Sequence, residues 1–420
     1  GMAAGLMPPH FLLEKVAGQC RSIWDTKPED SPFAQPLKKM PESFSAAERE
    51  RLSAAVLSAI RDSVDPAYRK FGAFVEKKYA PKGRTEPGMW ALPDGAARYA
   101  AVVKSQTTTD LTPEEIHRIG LSEVARIEGE MLVIAKKLGY PNLEAFNAAV
   151  AKDPKLRAKS GEQILDLYRK YIAQMKPKLP QLFGRLPKAD CIVLPVEPFR
   201  EKEASGASYE QGTPDGKRPG HVMVNTSDAT SRKTISMEST AYHEGLPGHH
   251  LQIAIAQELD ELPPVRRQVG YTAFVEGWAL YSERLGKEVG FYQDPYNDYG
   301  RLQDEMLRAI RLVVDTGLHA KKWTRQQVVD YFHDHSAIDE VEVQSETDRY
   351  ISDPGQALAY KIGQLKILEL REKSRKELAG GFDIRRFHDT VLDAGAVPLD
   401  VLTSRVDAWI ASGKKTAAGG

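Results

Sequence analysis

The sequence contains very little cysteine. Only two, Cys20 and Cys191, occur in 420 residues. Two cysteines are too few for a disulfide framework, and two isolated thiols do not make a thiolate metal site. Cysteine usage therefore excludes a disulfide-rich scaffold and does not indicate a cellular compartment.

Long hydrophobic runs and an excess of one charge are also missing. No apolar segment approaches the roughly 20 residues that span a bilayer, and the first residues lack a basic stretch followed by an apolar one. Lys plus Arg and Asp plus Glu number 58 each. This balance gives no electrostatic signature for nucleic acid or an anionic membrane. We therefore expect a soluble chain with no transmembrane segment and no nucleic-acid partner.

Several catalytic motifs are absent from the sequence. G-x-G-x-x-G, G-x-x-x-x-G-K-[ST] and G-x-S-x-G do not occur, so nucleotide-binding and serine-hydrolase functions lack their residues. The plain zinc motif H-E-x-x-H is absent too, because Pro247 stands four residues after His243.

A related pattern is present in the segment HEGLPGHH, which begins at His243. In H-E-x-x-H, two histidines one helical turn apart reach one zinc ion. Here His249 and His250 follow the first histidine by six and seven residues. Pro247 and Gly248 disfavour a regular helix, and a bulge of about two residues would bring His249 to the ligand position. On an undistorted helix His250 would lie roughly 10 Å along the axis, so His249 is the preferred ligand and His250 the alternate.

A third ligand and a base complete this hypothesis. The segment FVEGWALYSE places Glu276 and Glu283 about two turns apart on one face of a predicted buried helix. One carboxylate can bind the metal and the other can support it, so we predict one Zn²⁺ held by His243, His249 and Glu276. Glu244 is the predicted general base for the attacking water. Manganese, cobalt or iron would also suit these ligands.

Four segments together resemble one protein family. They are HEGLPGHHLQ, FVEGWALYSE, RLVVDTGLH and RYISDPGQALAYKIGQLKILELR, and they are similar to the bacterial family called domain of unknown function 885, grouped with the gluzincin metallopeptidases. The resemblance implies a zinc-dependent hydrolase of peptide or related amide bonds. It also implies relatives that are longer at the N-terminus, often after a signal or lipoprotein segment, and hence export of the full-length protein to the periplasm or as a lipoprotein.

The start of the chain suggests the same relation to longer relatives. Met7-Pro8-Pro9-His10 leads directly into an apolar helix that starts at Phe11, without a preceding cap or linker. We expect that this chain lacks an N-terminal portion its relatives carry. The sequence does not indicate the compartment or the oligomeric state.

Further site residues follow from the resemblance and from spacing. Relatives among the gluzincins supply a tyrosine hydroxyl from a late helix to the oxyanion, which implies Tyr360, with Tyr350 in reserve, and the alternative for either tyrosine is a core aromatic position. Asp315 and His319 are four residues apart on one helix face and form either a catalytic or a structural pair. The predicted substrate-binding residues are Arg349 and Lys361, which would hold a substrate carboxylate or else form structural ion pairs, and Asn225.

The predicted fold is mainly α (α+β), a many-helix metallopeptidase-like domain with a small sheet beside the metal-binding helix. Caps of the form S/T-x-x-E/Q open helices at Ser45, Thr112, Ser160 and Thr324. Further helices are predicted at 236–260, 270–289, 296–320, 355–379 and 398–411.

Two short strands are predicted at 191–196 and 221–225, on either side of a loop, 203–220, that is either a flap or an ordinary hairpin. By the gluzincin resemblance, strand 221–225 would bind an extended substrate along its edge. We expect a single catalytic domain over 1–420, with a helical part at 1–185, the metal-site part at 186–380 and C-terminal helices at 381–420.

The function that this reasoning favours is a zinc peptidase, such as a dipeptidase or carboxypeptidase, acting on a peptide or small amide substrate. Two alternatives stay open, a non-peptide amidase or esterase and a catalytically silent, metal-stabilised peptide-binding protein. A structural zinc site needs no base and is usually closed by a fourth protein ligand, so Glu244 favours the enzyme.

Overall fold

The computed structural model describes residues 1–198, 201 and 204–418. These residues form two compact units, 1–95 and 96–420, so the helical region predicted over 1–185 spans both. Helices dominate and three short strands form one sheet, which confirms the mainly α class. No helix in the described residues is long and apolar enough to cross a membrane.

The first unit is built from four helices. Their bounds are α1 His10–Trp24, α2 Gln35–Lys38, α3 Ala46–Ala59 and α4 Asp65–Phe74. A buried cluster of Met7, Leu13, Val75 and Ala80 forms a small core in this unit. The predicted cap at Ser45 is a full capping box with Glu48, which satisfies free N–H groups at the start of α3.

The remaining helices belong to the second unit, apart from the first residue of α5. They are α5 Gly95–Thr107, α6 Pro113–Lys137, α7 Leu143–Lys152, α8 Gly161–Met175, α9 Leu179–Leu182, α10 Met237–Glu244, α11 His249–Gln257, α12 Pro264–Gln268, α13 Thr272–Glu288, α14 Pro295–His319, α15 Arg325–His335, α16 Glu340–Ser352, α17 Leu358–Leu378, α18 Ile384–Leu392 and α19 Leu399–Ala418. The predicted caps at Thr112, Ser160 and Thr324 open α6, α8 and α15.

Two helix pairs carry much of the core in the second unit, α6 with α14 and α13 with α17. In the second pair, a Cβ at Gly277 would lie 2.4 Å from the Cα of Gly363. Side chains at these two positions would push the helices apart. This close approach determines which residues of α17 lie opposite which residues of α13.

The sheet has the order β1-β3-β2, with β1 at Cys191–Pro195, β2 at Ala207–Glu210 and β3 at Gly220–Val224. β1 and β3 are parallel, with Cys191 opposite Gly220, whereas β2 and β3 are antiparallel. The expected loop 203–220, whose residue 203 lies outside the described residues, therefore contains a strand and forms a hairpin with β3. Because β3 is paired on both sides, the expectation of substrate binding along the edge of 221–225 is wrong. Among the described residues, β1 and β2 are the edge strands, and each has one edge that pairs with no other strand.

A buried ion cluster joins α6, α14 and α17. Lys361 Nζ lies 2.7 Å from Glu305 Oε1 and 2.9 Å from Glu123 Oε2, and its side chain is 0% exposed. Arg126 contacts both carboxylates. A buried lysine that neutralises two carboxylates cannot be removed without leaving uncompensated charge. Lys361 therefore holds the fold together and does not bind substrate, which corrects the sequence prediction.

We predict that Lys361→Met lowers the free energy of unfolding at neutral pH by about 3 kcal/mol, since Glu305 and Glu123 lose their buried partner. Burial favours the neutral form of Glu305, but Lys361 and Arg126 hold its pKa at about 2. This stabilisation is present above pH 4.5 and is lost as pH falls toward 2, so the penalty should shrink over that range.

Urea unfolding at several pH values measures this penalty. Lys366→Met is the matched control, because Lys366 on the same helix forms a partly exposed ion pair with Glu369 that should contribute less than about 1 kcal/mol. A Lys361→Met protein of unchanged stability would contradict the structural role.

Candidate metal centre

The centre begins with a break between two helices. α10 ends at Glu244 and α11 begins at His249, whereas the sequence predicted one bulged helix over 236–260. The linker between them contains a cis Leu246–Pro247 bond. A Cβ at Gly248 would lie 1.9 Å from the carbonyl oxygen of His243, so only glycine fits there. The linker turns back on α10 and brings His249 beside His243.

Three side chains converge at this break. Glu276 Oε2 on α13 lies 3.7 Å from His243 Nε2 and 3.4 Å from His249 Nε2. One ligand atom from each residue lies within 4.8 Å of the others. Ligands on a tetrahedral zinc with bonds of about 2.0–2.1 Å are roughly 3.3 Å apart. The spacing and the donor set of two imidazoles and a carboxylate therefore fit one metal ion.

A fourth residue orients the first histidine. His243 Nδ1 donates a hydrogen bond to Glu283 Oε1 over 2.8 Å, and both side chains are buried. The proton on Nδ1 leaves the lone pair of Nε2 directed at the cluster. Glu276 therefore faces both imidazoles and Glu283 braces one of them, which is the geometry that the two predicted roles need, and metal binding itself stays a prediction.

The electrostatics of the cluster favour a cation. Burial opposes charge on His243, but its hydrogen bonds to Glu276 and Glu283 raise its pKa to about 10. Burial also opposes charge on Glu276, yet His249 and His243 hold the pKa of this carboxyl well below its usual range. In the absence of other cations, the carboxylates attract a proton onto imidazole. A divalent ion would satisfy the same negative charge.

His250 does not belong to this cluster. Its Nε2 lies 3.2 Å from the carbonyl oxygen of Ala189, and its Nδ1 lies 3.0 Å from the hydroxyl of Tyr209. A carbonyl can only accept, so Nε2 carries the proton and Nδ1 accepts from the tyrosine. Both nitrogens are used by the protein, which removes His250 as the alternate ligand. His249 remains the predicted one.

Glu244 lies at the C-terminal end of α10, directly after His243, and is half-buried. Its negative charge acts on His243 and on Tyr168 of α8. The pKa of Tyr168 is raised well above its usual value, mainly by burial and to a smaller extent by the charge of Glu244. Sequence reasoning had no signal for Tyr168, because an aromatic residue in an amphipathic helix is typical of a core position.

Tyr360 lies at the start of α17 and is half-buried. Its ring packs on the guanidinium of Arg311 at 4.7 Å, and its hydroxyl has a long contact of 3.5 Å with Gln356 Nε2. Tyr350, the reserve candidate, is buried and accepts a 2.9 Å hydrogen bond from Arg311 Nε. The catalytic role of Tyr360 stays a prediction.

The other predicted catalytic group is buried in the helical core. His319 Nε2 bonds to the carbonyl oxygen of Tyr350 at 3.0 Å, and its ring packs against Tyr99. Asp315 accepts hydrogen bonds from the Tyr99 hydroxyl, at 2.6 Å, and from Gly355 N. These contacts join α5, α14 and α16 and describe a structural network. Catalysis by His319 stays a prediction.

The predicted substrate-binding side chains have protein partners. Arg349 donates to Glu346 and to Gln356 Oε1. Asn225 is 2% exposed, and its amide donates to the carbonyl oxygens of Glu201 and Ala204. The Asn225 amide is therefore bonded to the backbone of the segment before β2 and is not available to a substrate, which corrects the prediction.

The second unit is mainly helical and places a His, His, Glu cluster beside a small sheet. Known proteins share this sequence pattern and this architecture. The profile of the family described as bacterial protein of unknown function (DUF885) matches residues 1–406. The chain belongs to this family, as the four sequence segments indicated. No match was found among curated proteins.

Two solved structures share this fold, and a third is similar at a lower level. A protein of Colwellia psychrerythraea, described as a candidate lipoprotein, is similar with a TM-score of 0.94 and 36% identity over 98% of this chain and 72% of that chain. A candidate lipoprotein of unknown function from Shewanella oneidensis has a TM-score of 0.72 and 19% identity over 95% of this chain and 73% of that one. The M32 carboxypeptidase of Deinococcus radiodurans R1 has a TM-score of 0.42 and 9% identity over 94% of this chain and 75% of its own.

We predict that His249→Ala loses bound zinc, whereas His250→Ala retains close to one ion per chain, because only the first residue faces Glu276. Metal analysis after dialysis against a weak chelator measures the difference. Full retention of zinc by His249→Ala, or its loss from His250→Ala alone, would mean that the wrong histidine is assigned.

Proposed function

We propose that this protein is a metal-dependent hydrolase of peptide or related amide bonds. The observation that carries the proposal is the convergence of His243, His249 and Glu276 beside Glu244. Two histidines and one glutamate form a three-ligand set of the kind found in catalytic zinc sites, which keep a position for water or substrate. A closed structural site would use a fourth protein ligand, and His250, the alternate ligand in the sequence, is bonded elsewhere.

The residues present would divide the chemistry between them. A zinc ion held by the three ligands would supply Lewis acidity toward water and the substrate carbonyl. Glu283 would keep His243 in one tautomer. Glu244 would accept a proton from the attacking water and pass it to the leaving nitrogen. Its position directly after His243 and its half-buried side chain suit this shuttle.

Tyr360 is the proposed donor to the developing oxyanion. Gly363 packs against Gly277, the residue after Glu276, and Tyr360 precedes Gly363 by three residues on α17. One helical turn advances about 5.4 Å, so Tyr360 lies close to the level of Glu276. Among the described residues, its hydroxyl makes one long hydrogen bond, in which Gln356 is the donor, so the hydroxyl proton can be donated to a substrate.

The free edge of β2 is the proposed binding strand for an extended substrate. β2 contacts α10, the helix that carries His243 and Glu244, and main-chain pairing to an exposed sheet edge is a common mode of peptide recognition. This assigns to Ala207–Glu210 the role that was expected for 221–225.

Two other functions remain as alternatives. A non-peptide amidase or esterase would use the same groups on a smaller substrate. A silent peptide-binding protein would use the metal for structure, but a half-buried base beside the ligands has no purpose in such a protein. The relatives described as candidate lipoproteins support a proposed location outside the cytoplasm.

We predict that Glu244→Gln abolishes hydrolysis, with kcat reduced at least about a hundredfold, while zinc binding is unchanged, because the amide keeps the shape of the side chain and cannot accept the proton. The measurement is digestion of a peptide library by the zinc-loaded protein, read by mass spectrometry. Glu369→Gln is the matched control and should keep its activity, because Glu369 is an exposed residue of α17 that pairs with Lys366. Cleavage that survives in Glu244→Gln, or no cleavage of any peptide by the unaltered protein, would contradict the proposal.

A further inference from the structure

The two histidines that end the motif have neighbours of different kinds. His249 faces Glu276 in the metal cluster, whereas His250 faces the sheet. Its ring is 1% exposed and makes a T-shaped contact with the ring of Tyr209 on β2, at 5.6 Å between centroids. Because Nδ1 is the accepting nitrogen, the Tyr209 hydroxyl donates to it over 3.0 Å. One bond thus joins the strand to the residue next to a proposed metal ligand.

The packing around this bond leaves no spare room. A Cβ at Gly220, the first residue of β3, would lie 2.3 Å from the Tyr209 hydroxyl and 2.6 Å from His250 Nδ1. The other nitrogen of His250 is anchored on Ala189, just before β1. His250 is therefore bonded to β2 and to the segment before β1 and packs closely beside Gly220 of β3, which holds the tyrosine in one position.

The backbone of Tyr209 lies on the open side of β2. Asn225 N donates to Gly206 O, its directly opposite residue, so this pair is hydrogen-bonded. In an antiparallel ladder such pairs alternate with pairs whose N–H and C=O groups point outward. Continuing along the register, Ser208 and Glu210 bond to β3, and Tyr209 presents its N–H and C=O to the free edge.

We propose that Tyr209 and His250 form a latch that positions the free edge of β2 relative to the metal centre, so that the backbone of Tyr209 pairs with an extended substrate whose reacting carbonyl lies at the metal. The inference rests on the proposed function, since it concerns the same site. Tyr209 and His250 are positioning residues. Their side chains fix the position of β2, and the backbone of β2 binds the peptide.

The latch explains the doubled histidine of the motif. His249 and His250 are adjacent on α11, so a shift of the strand that moved His250 would also disturb the ligand. One peptide unit therefore separates the residue that contacts the strand from the residue proposed to bind the metal. A purely structural contact would stabilise the sheet equally but would not make binding depend on the length of the ligand.

The test uses the zinc-loaded full chain and two hydroxamates, acetohydroxamic acid and tri-alanine hydroxamate, which share a zinc-binding group and differ in the portion that could lie along β2. We expect Tyr209→Phe to weaken tri-alanine hydroxamate by about threefold to tenfold, the effect of one neutral hydrogen bond. The Kd of acetohydroxamic acid and the zinc content should not change. Isothermal titration calorimetry gives both constants.

Two further variants sharpen the comparison. Gly220→Ala introduces the methyl group that meets the Tyr209 hydroxyl, so it should reproduce the selective loss without altering either latch residue. Tyr299→Phe is the matched control, because Tyr299 is buried and its hydroxyl bonds to Asn147 in another region of the unit. It should leave both hydroxamates unaffected.

The outcomes separate the two proposals. Equal affinities in the unaltered protein and in Tyr209→Phe, or an equal loss for both hydroxamates, would overturn the latch and leave the hydrolase proposal standing. The selective loss in a protein that cleaves no peptide would support the latch and overturn the hydrolase in favour of a peptide-binding protein. If the unaltered zinc-loaded protein binds neither hydroxamate, both proposals fail.

Discussion

The candidate site depends on one constraint, the close return of the chain between α10 and α11. In a continuous helix, residues six apart point to different sides and lie about 9 Å apart along the axis. The linker over 245–248 removes that separation, and Gly248 permits it because its Cα passes against the carbonyl oxygen of His243. A side chain there would force the second helix away, and the His243–Glu276–His249 convergence would be lost.

One helix, α13, stabilises this arrangement in three ways. Glu276 faces both imidazoles, and Glu283 accepts the Nδ1 proton of His243. Between them, Trp278 is fully buried and donates its indole N–H to the carbonyl oxygen of Pro247, at 3.0 Å. The same helix therefore binds the linker and supplies the carboxylates. The segment FVEGWALYSE is a single unit of the site rather than a ligand followed by core residues.

Sequence reasoning predicted the helices well where caps and apolar periodicity agreed, as at Thr112 and Thr324. It found the His, His, Glu set because metal ligands have few chemical alternatives. It could not predict the helix break, since the sequence shows that Pro247 and Gly248 disturb a helix but not by how much. It also missed β2, a strand of four residues in a glycine-rich segment, and with it the position of β3 in the middle of the sheet.

The failed substrate-binding predictions have a common physical cause. Lys361 and Asn225 look available in the sequence because long polar side chains are usually exposed. Their burial depends on partners distant in sequence, such as Glu123 and Glu305 for the lysine and the carbonyl oxygens before β2 for the asparagine. No local pattern carries that information. The sequence shows which chemical group each residue carries, but it does not show which groups that residue contacts.

The central claim is that one metal ion is held by these three side chains and no other, and zinc K-edge X-ray absorption of the zinc-loaded full chain tests it most directly. The account predicts two imidazole nitrogens and a carboxylate oxygen at about 2.0–2.2 Å, no sulfur, and the same ligands in His250→Ala. Three imidazoles, a sulfur ligand, or the loss of an imidazole in His250→Ala would contradict it.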